Sequence, residues 1–221
     1  NVSQRLHGQK YPMRPGSGND YFFIDTDSTD VIFGGRSDLS GSESQLGFRS
    51  KSYVDKFFIN GSGRKKIFQF SSGNDQRLDS YGYTSLDFIF FDSRLKNISS
   101  ISDLIPFLGE DDDGYAYFAF DETSRLEFDN IRASELLGRN FVFHNGIDNY
   151  IYGSYQDDKL SGTSGNDFID GYDLFHASAI SAYDIGIKSG NDRIDGGKGN
   201  DLLFGGSSVK PSGGYYQDTF I

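Results

Sequence analysis

One phrase, Gly-Asn-Asp, recurs five times in this chain, at 18–20, 73–75, 165–167, 190–192 and 199–201. An internal repeat limits the possible folds more than any other feature of a sequence. The flanks repeat as well. Gly165-Asn166-Asp167-Phe168-Ile169-Asp170-Gly171 closely matches Gly190-Asn191-Asp192-Arg193-Ile194-Asp195-Gly196. The stretch from Gly196 to Gly206 follows G-G-x-G-x-D-x-U-x, with U apolar, and then begins the pattern again. Asp192 and Asp201 are nine residues apart, as are Asp158 and Asp167; stepping back from Asp158 in nines reaches Asn149 and Asn140. Two residues after each of these six positions stands an apolar side chain: Val142, Ile151, Leu160, Ile169, Ile194 and Leu203. The register breaks across 172–187. It resumes one residue short in Gly213–Ile221, which places Asp218 and Phe220 in the matching slots.

A nine-residue unit divides into a six-residue turn and a three-residue strand whose middle side chain faces inward. Two units complete one coil, so turns eighteen residues apart stack on the same edge. Glycine permits the positive-φ turn and exposes its carbonyls. The Asp closes the turn and adds a carboxylate. Two stacked turns then surround one point with several hard oxygens, the coordination that Ca²⁺ takes. Without an ion the stacked carboxylates repel one another.

The composition agrees. The 32 acidic residues comprise 27 Asp and 5 Glu. Asp favours turns where Glu favours helices. A formal charge of −11 argues against nucleic acid and against an anionic membrane surface. The absence of Cys excludes disulfides, thiolate metal sites and Cys nucleophiles. No apolar run is long enough to span a membrane. The chain begins with Asn and carries no leader pattern, which reads as a piece of something larger.

Short apolar or alternating runs between turn residues predict strands at Tyr21–Ile24, Val31–Phe33, Lys66–Phe70, Leu86–Phe91, Tyr115–Phe120, Arg125–Phe128 and Phe141–Phe143. One short helix is expected near Ser102–Ile105, stopped by Pro106, and a helix or turn over Arg132–Leu137. Three zones emerge: an irregular 1–60, a β-rich 61–143 and a repetitive 144–221. Their soft boundaries also permit one continuous domain.

These residues resemble the RTX (repeats-in-toxin) family of Ca²⁺-binding nonapeptide repeats. The resemblance implies an all-β chain with a calcium-stabilised parallel β-roll and an adjoining β-rich segment that holds hairpins and at most short helices. By motif position it implies metal ligands at Asp20, Asp158, Asp167, Asp192, Asp201 and Asp218. Carbonyls are implied from Gly16, Gly18, Gly162, Gly165, Gly190, Gly196, Gly199 and Gly205, with several Ca²⁺ ions as the cofactor. Asp75 fits less well, because Arg77 occupies its apolar slot. The resemblance further implies export from a Gram-negative bacterium by type I secretion machinery, and folding outside the cell or on its surface.

No catalytic residue is expected. H-E-x-x-H and G-x-S-x-G are both missing, and the repeat explains Asp157 and Asp158 better than a glycosidase pair does. Two other roles stay open: a Ca²⁺-dependent module of an adhesin that binds a glycan or peptide, and an accessory module of a secreted protease, lipase or alginate epimerase. Glu110–Gly114 reads as a solvated hairpin loop rather than a cation site. Arg64-Lys65-Lys66 reads as a surface turn rather than an anion or glycan site.

Overall fold

A computed structural model describes residues 3–6, 21–24, 27, 29–33, 55–72, 87–136, 138–154, 156–171, 190–205 and 217–221. The chain divides into two compact units, Asn1–Phe143 and His144–Ile221.

The first unit contains β1 (Ser3–Leu6), β2 (Tyr21–Ile24), β3 (Asp30–Phe33), β4 (Lys56–Ile59), β5 (Arg64–Phe68) and β6 (Phe88–Asp92). After these come α1 (Ile101–Leu104), β7 (Leu108–Glu110), β8 (Ala116–Ala119), β9 (Arg125–Phe128) and β10 (Phe141–His144). The strands form two five-stranded sheets, ordered β1-β2-β4-β6-β10 and β3-β5-β9-β8-β7, and from β2 to β7 successive strands alternate between them. The pairs β1–β2, β2–β4, β4–β6, β3–β5 and β5–β9 are parallel; β7–β8 and β8–β9 are antiparallel. Inward side chains of both sheets form one core, which includes Phe22, Ile32, Phe57, Ile67, Phe91, Phe118 and Phe128. Parallel register stacks identical positions. Phe22 lies on Phe57 with ring centroids 4.7 Å apart, and on the opposite face of that sheet Phe23, Phe58 and Phe90 form a ladder at 4.9 and 4.5 Å. These Phe side chains are therefore core material.

Most strand expectations are met within two residues. β5 ends at Phe68 rather than Phe70, because Gln69 adopts φ 60° and turns the chain. The expected helix forms as α1, where the Ser100 hydroxyl accepts the Asp103 N–H at 3.3 Å. The Arg132–Leu137 segment contains a 3₁₀ turn at Ala133–Glu135, and the Glu135 carboxylate accepts the Arg132 N–H at 2.7 Å. The acidic run at 110–114 is the turn of the β7–β8 hairpin, where Asp111 Oδ1 accepts from the Asp113 and Tyr115 amides.

The second unit is regular. Its strands are β11 (Asn149–Tyr152), β12 (Lys159–Ser161), β13 (Asp167–Asp170), β14 (Arg193–Asp195), β15 (Leu202–Phe204) and β16 (Thr219–Phe220). They alternate between two parallel three-stranded sheets, β11-β13-β15 and β12-β14-β16. Asn149 pairs with Asp167, eighteen residues on, as the two-unit coil requires. Lys159 pairs with Arg193, a longer step that absorbs the 172–187 insertion. Ile194 pairs with Phe220, so the strand register recovers after the second break. The middle strand residues Ile169 and Ile194 are fully buried. Among the described residues no helix is long and apolar enough to cross a membrane.

Candidate metal-binding turns

Each edge of the second unit carries a stack of turns. Turns ending at Asn149, Asp167 and Asp201 lead into one sheet; those ending at Asp158, Asp192 and Asp218 lead into the other. Side chains join the coils. Asp201 Oδ1 accepts the Asp167 N–H at 2.9 Å, Asp192 Oδ1 accepts the Asp158 N–H at 2.9 Å, and Asp218 Oδ1 accepts the Asp192 N–H at 3.0 Å. At the first step Asn149 Nδ2 donates to Asp167 Oδ1 at 2.7 Å.

The residue before each Asp builds a second ladder. Asp148 Oδ2 accepts the Asn166 N–H and Asn166 Oδ1 accepts the Asn200 N–H; Asp157 Oδ1 accepts the Asn191 N–H and Asn191 Oδ1 accepts the Gln217 N–H, all at 2.8–3.0 Å. The Asn of Gly-Asn-Asp therefore couples neighbouring coils. The repeat itself was the signal for this role, which motif reading did not assign.

With one oxygen joining the coils, the second carboxylate oxygen lies over a glycine. A Cβ built on Gly162 would sit 2.6 Å from Asp167 Oδ2, and one on Gly196 would sit 2.6 Å from Asp201 Oδ2. Main-chain carbonyls approach from the neighbouring coil: Gly196 O against Gly162, Gly165 O against Gly199, and Gln156 O against Gly190. Gly199 (φ 123°) and Gly197 (φ 82°) hold a backbone conformation that L side chains rarely adopt. A Cβ on Gly171 would collide with Asp192 Oδ2 and stand 3.1 Å from Gly205 O; one on Gly205 would collide with Asp218 Oδ2. Similarly, Gly153 faces Gly171 O and Asp158 Oδ2. Gly153 and Gly171 were missed because the motif is imperfect before Asp158 and interrupted before Asp192. The five-residue step from Gly153 to Asp158 would have found the first.

The turns differ in how their carboxylates are satisfied. Asp158 Oδ2 accepts from the Ser154 N–H (2.6 Å) and Oγ (2.9 Å), and Asp167 Oδ2 from the Thr163 N–H (2.5 Å) and Oγ1 (3.2 Å). Burial opposes ionisation of Asp167, but hydrogen bonds from Thr163 and Asn149 outweigh it and lower its pKa. Asp192 is 1% exposed, and its Oδ2 has no hydrogen-bond partner among the described residues. Burial, with the nearby carboxylates of Asp218, Asp158 and Asp157, raises its pKa to about 6 despite the Asp158 amide.

An orphaned buried carboxylate oxygen beside a cradle that a methyl group would fill fits a cation. Among the described residues no three His, Cys, Asp or Glu side chains converge. A cation held by these turns would draw mainly on carbonyls with one or two carboxylates, the hard oxygen set that Ca²⁺ takes. The structure brings Asp158, Asp192 and Asp218 to one edge with Gly205. It brings Asp167 and Asp201 to the other with Gly162, Gly165, Gly196 and Gly199. Gly190 lies in the turn of Asp192. Gly16, Gly18, Asp20 and Asp75 lie outside the described residues.

No curated protein matches the chain. Residues 145–173 and 188–208 match the RTX calcium-binding nonapeptide repeat, in four copies, and skip most of the insertion. The second unit is built on RTX calcium-binding nonapeptide repeats, and its parallel strands form the β-roll those repeats imply.

Proposed function

We propose that residues 144–221 form a β-roll that folds as calcium binds, within an exported or surface-exposed protein, and that the role of this region is non-catalytic. The observation that carries the reading is Asp192: a buried carboxylate with one oxygen without a donor, which feels the charges of Asp218, Asp158 and Asp157. Asp158, Asp192 and Asp218 with the carbonyls of Gly171 and Gly205 would hold ions on one edge. Asp167 and Asp201 with the carbonyls of Gly162, Gly165, Gly196 and Gly199 would hold them on the other. A bound Ca²⁺ supplies the positive charge that turns mutual repulsion into a link between coils. Binding free energy then becomes folding free energy. A chain whose fold needs calcium would stay unfolded in a low-calcium cytoplasm, which suits export through a type I channel and folding outside. Calorimetric calcium titration with parallel circular dichroism tests this. Saturable binding that accompanies a gain of β signal supports the reading; identical spectra in calcium and in excess chelator would refute it.

A further inference from the structure

The outward face of β5, β8 and β9 in the first unit has a charge pattern that the calcium reading does not use. Arg64 and Arg125 stand directly opposite each other on paired strands. Like charges in that position destabilise a sheet. One carboxylate oxygen serves both: Glu127 Oε1 lies 2.5 Å from Arg64 Nη2 and 3.3 Å from Arg125 Nε. Lys66 pairs in register with Glu127, holds its ammonium 5.2 Å from the Phe68 ring centre, and makes no ion pair among the described residues. Asp129 at the end of β9 also feels the charge of Lys66. The Arg125 guanidinium lies 3.5 Å from the centre of the Tyr117 ring. That ring lies over Gly109, where a Cβ would be 2.6 Å from Cζ. The fork of Arg125 is thus fixed in place, while the Arg64 side chain is 52% exposed.

Two cations thus share one carboxylate, and a third, Lys66, stands beside it in register, in a chain of net charge −11. We propose that this face binds an acidic glycan through its ring carboxylates, using Arg64, Arg125 and Lys66. Guanidinium forks match planar carboxylates in two-point contacts. The surrounding acidity disfavours densely charged polyanions such as DNA or an anionic bilayer. A glycan spaces its carboxylates by a whole sugar ring or more and adds hydroxyls for a flat polar face. None of these residues belongs to the metal-binding turns, so the site does not rest on calcium.

The test is titration of the whole chain, in calcium, with a hyaluronan decasaccharide at about 50 mM salt, where screening is modest. The proposal expects binding that the carboxyl-esterified oligosaccharide lacks. It expects a loss of about tenfold or more in Arg64→Gln/Lys66→Gln, and tighter binding in Glu127→Gln, which removes the internal competitor. Near-ultraviolet circular dichroism verifies that each variant is folded. No binding by the wild-type chain, equal binding of the ester, unchanged affinity in the folded double variant, or tighter binding to polyglutamate or phosphatidylserine vesicles would overturn it.

Discussion

Both units contain parallel coils whose turns are joined by side chains from neighbouring coils, yet they settle their charges differently. In the first unit, carboxylates meet donors. Asp87 accepts from the Asp55 and Ser71 amides, Asp129 from the Gln69 amide, and Asp27 from the Ser62 amide and hydroxyl. Asn130 exchanges two hydrogen bonds with the Phe70 backbone, and Lys65 forms a buried ion pair with Asp30 at 2.7 Å. In the second unit most turn carboxylates also meet donors, but Asp192 keeps one buried oxygen without a hydrogen-bond partner among the described residues. A turn ladder closes by itself when every oxygen finds an N–H, and it requires a cation when glycine carbonyls and carboxylates face each other.

The largest contrast lies in what each unit loses with its core. Phe57→Ala should destabilise the first unit by about 3–5 kcal/mol, with or without calcium, because Phe57 is fully buried in a two-sheet core. Chemical denaturation checks this, and rescue by calcium would erase the distinction between the units.

Asp192→Asn should act with opposite signs in two conditions. The amide keeps an oxygen for the Asp158 N–H but removes the buried charge. With calcium, ion affinity should fall about tenfold or more, since a charged hard ligand is lost. In chelator, residual β signal should rise. Equal effects in both conditions would contradict the cation role of Asp192.

Acid should separate the units further. The pKa of Asp192 is raised to about 6 by burial and neighbouring carboxylates, so its ionisation penalises the calcium-free fold above about pH 6; protonation relieves that penalty by about pH 4. Calcium-free β signal from the second unit should therefore increase from pH 7.5 to 5. Asp27, Asp103 and Asp121 in the first unit have lowered pKa values, chiefly from hydrogen bonds with Ser62, Ser99 and Lys96 respectively. Their stabilisation is present above about pH 4 and is lost below it. Melting curves across pH, followed unit by unit, check both signs.

A smaller effect is expected at Asn149→Asp. It replaces the Nδ2 donor to Asp167 by a like charge, costing about 1–2 kcal/mol in chelator and less in calcium, which would screen the pair. A calcium-independent change would show that Asn149 has no link to the ion ladder.

The second unit was legible because its spacing is local and periodic: a nine-residue motif dictates both the strand register and the turn that carries each Asp. The parallel coils of the first unit were not. Its paired strands are separated irregularly, Tyr21 from Lys56, Lys56 from Phe88, and Arg64 from Arg125, so no period survives in the sequence. Many Asp residues before residue 130 had no assigned role for the same reason. Asp129 caps Gln69 and Asp87 caps Asp55 across 60 and 32 residues, and only the fold brings those partners together. Others are local caps, such as Asp92 on the Arg94 amide and Asp121 on those of Thr123 and Ser124. The surplus of Asp over Glu closes turns through hydrogen bonds in both units, and in the proposed reading it also gathers oxygens around cations in the second.

Amide hydrogen exchange, measured on the whole chain in calcium and in excess chelator, tests that division most directly. Chelation is predicted to strip protection from β11, β13, β14 and β15 while β4, β6 and β9 keep theirs. Protection retained in β13 and β14 without calcium, or lost from both units together, would contradict it.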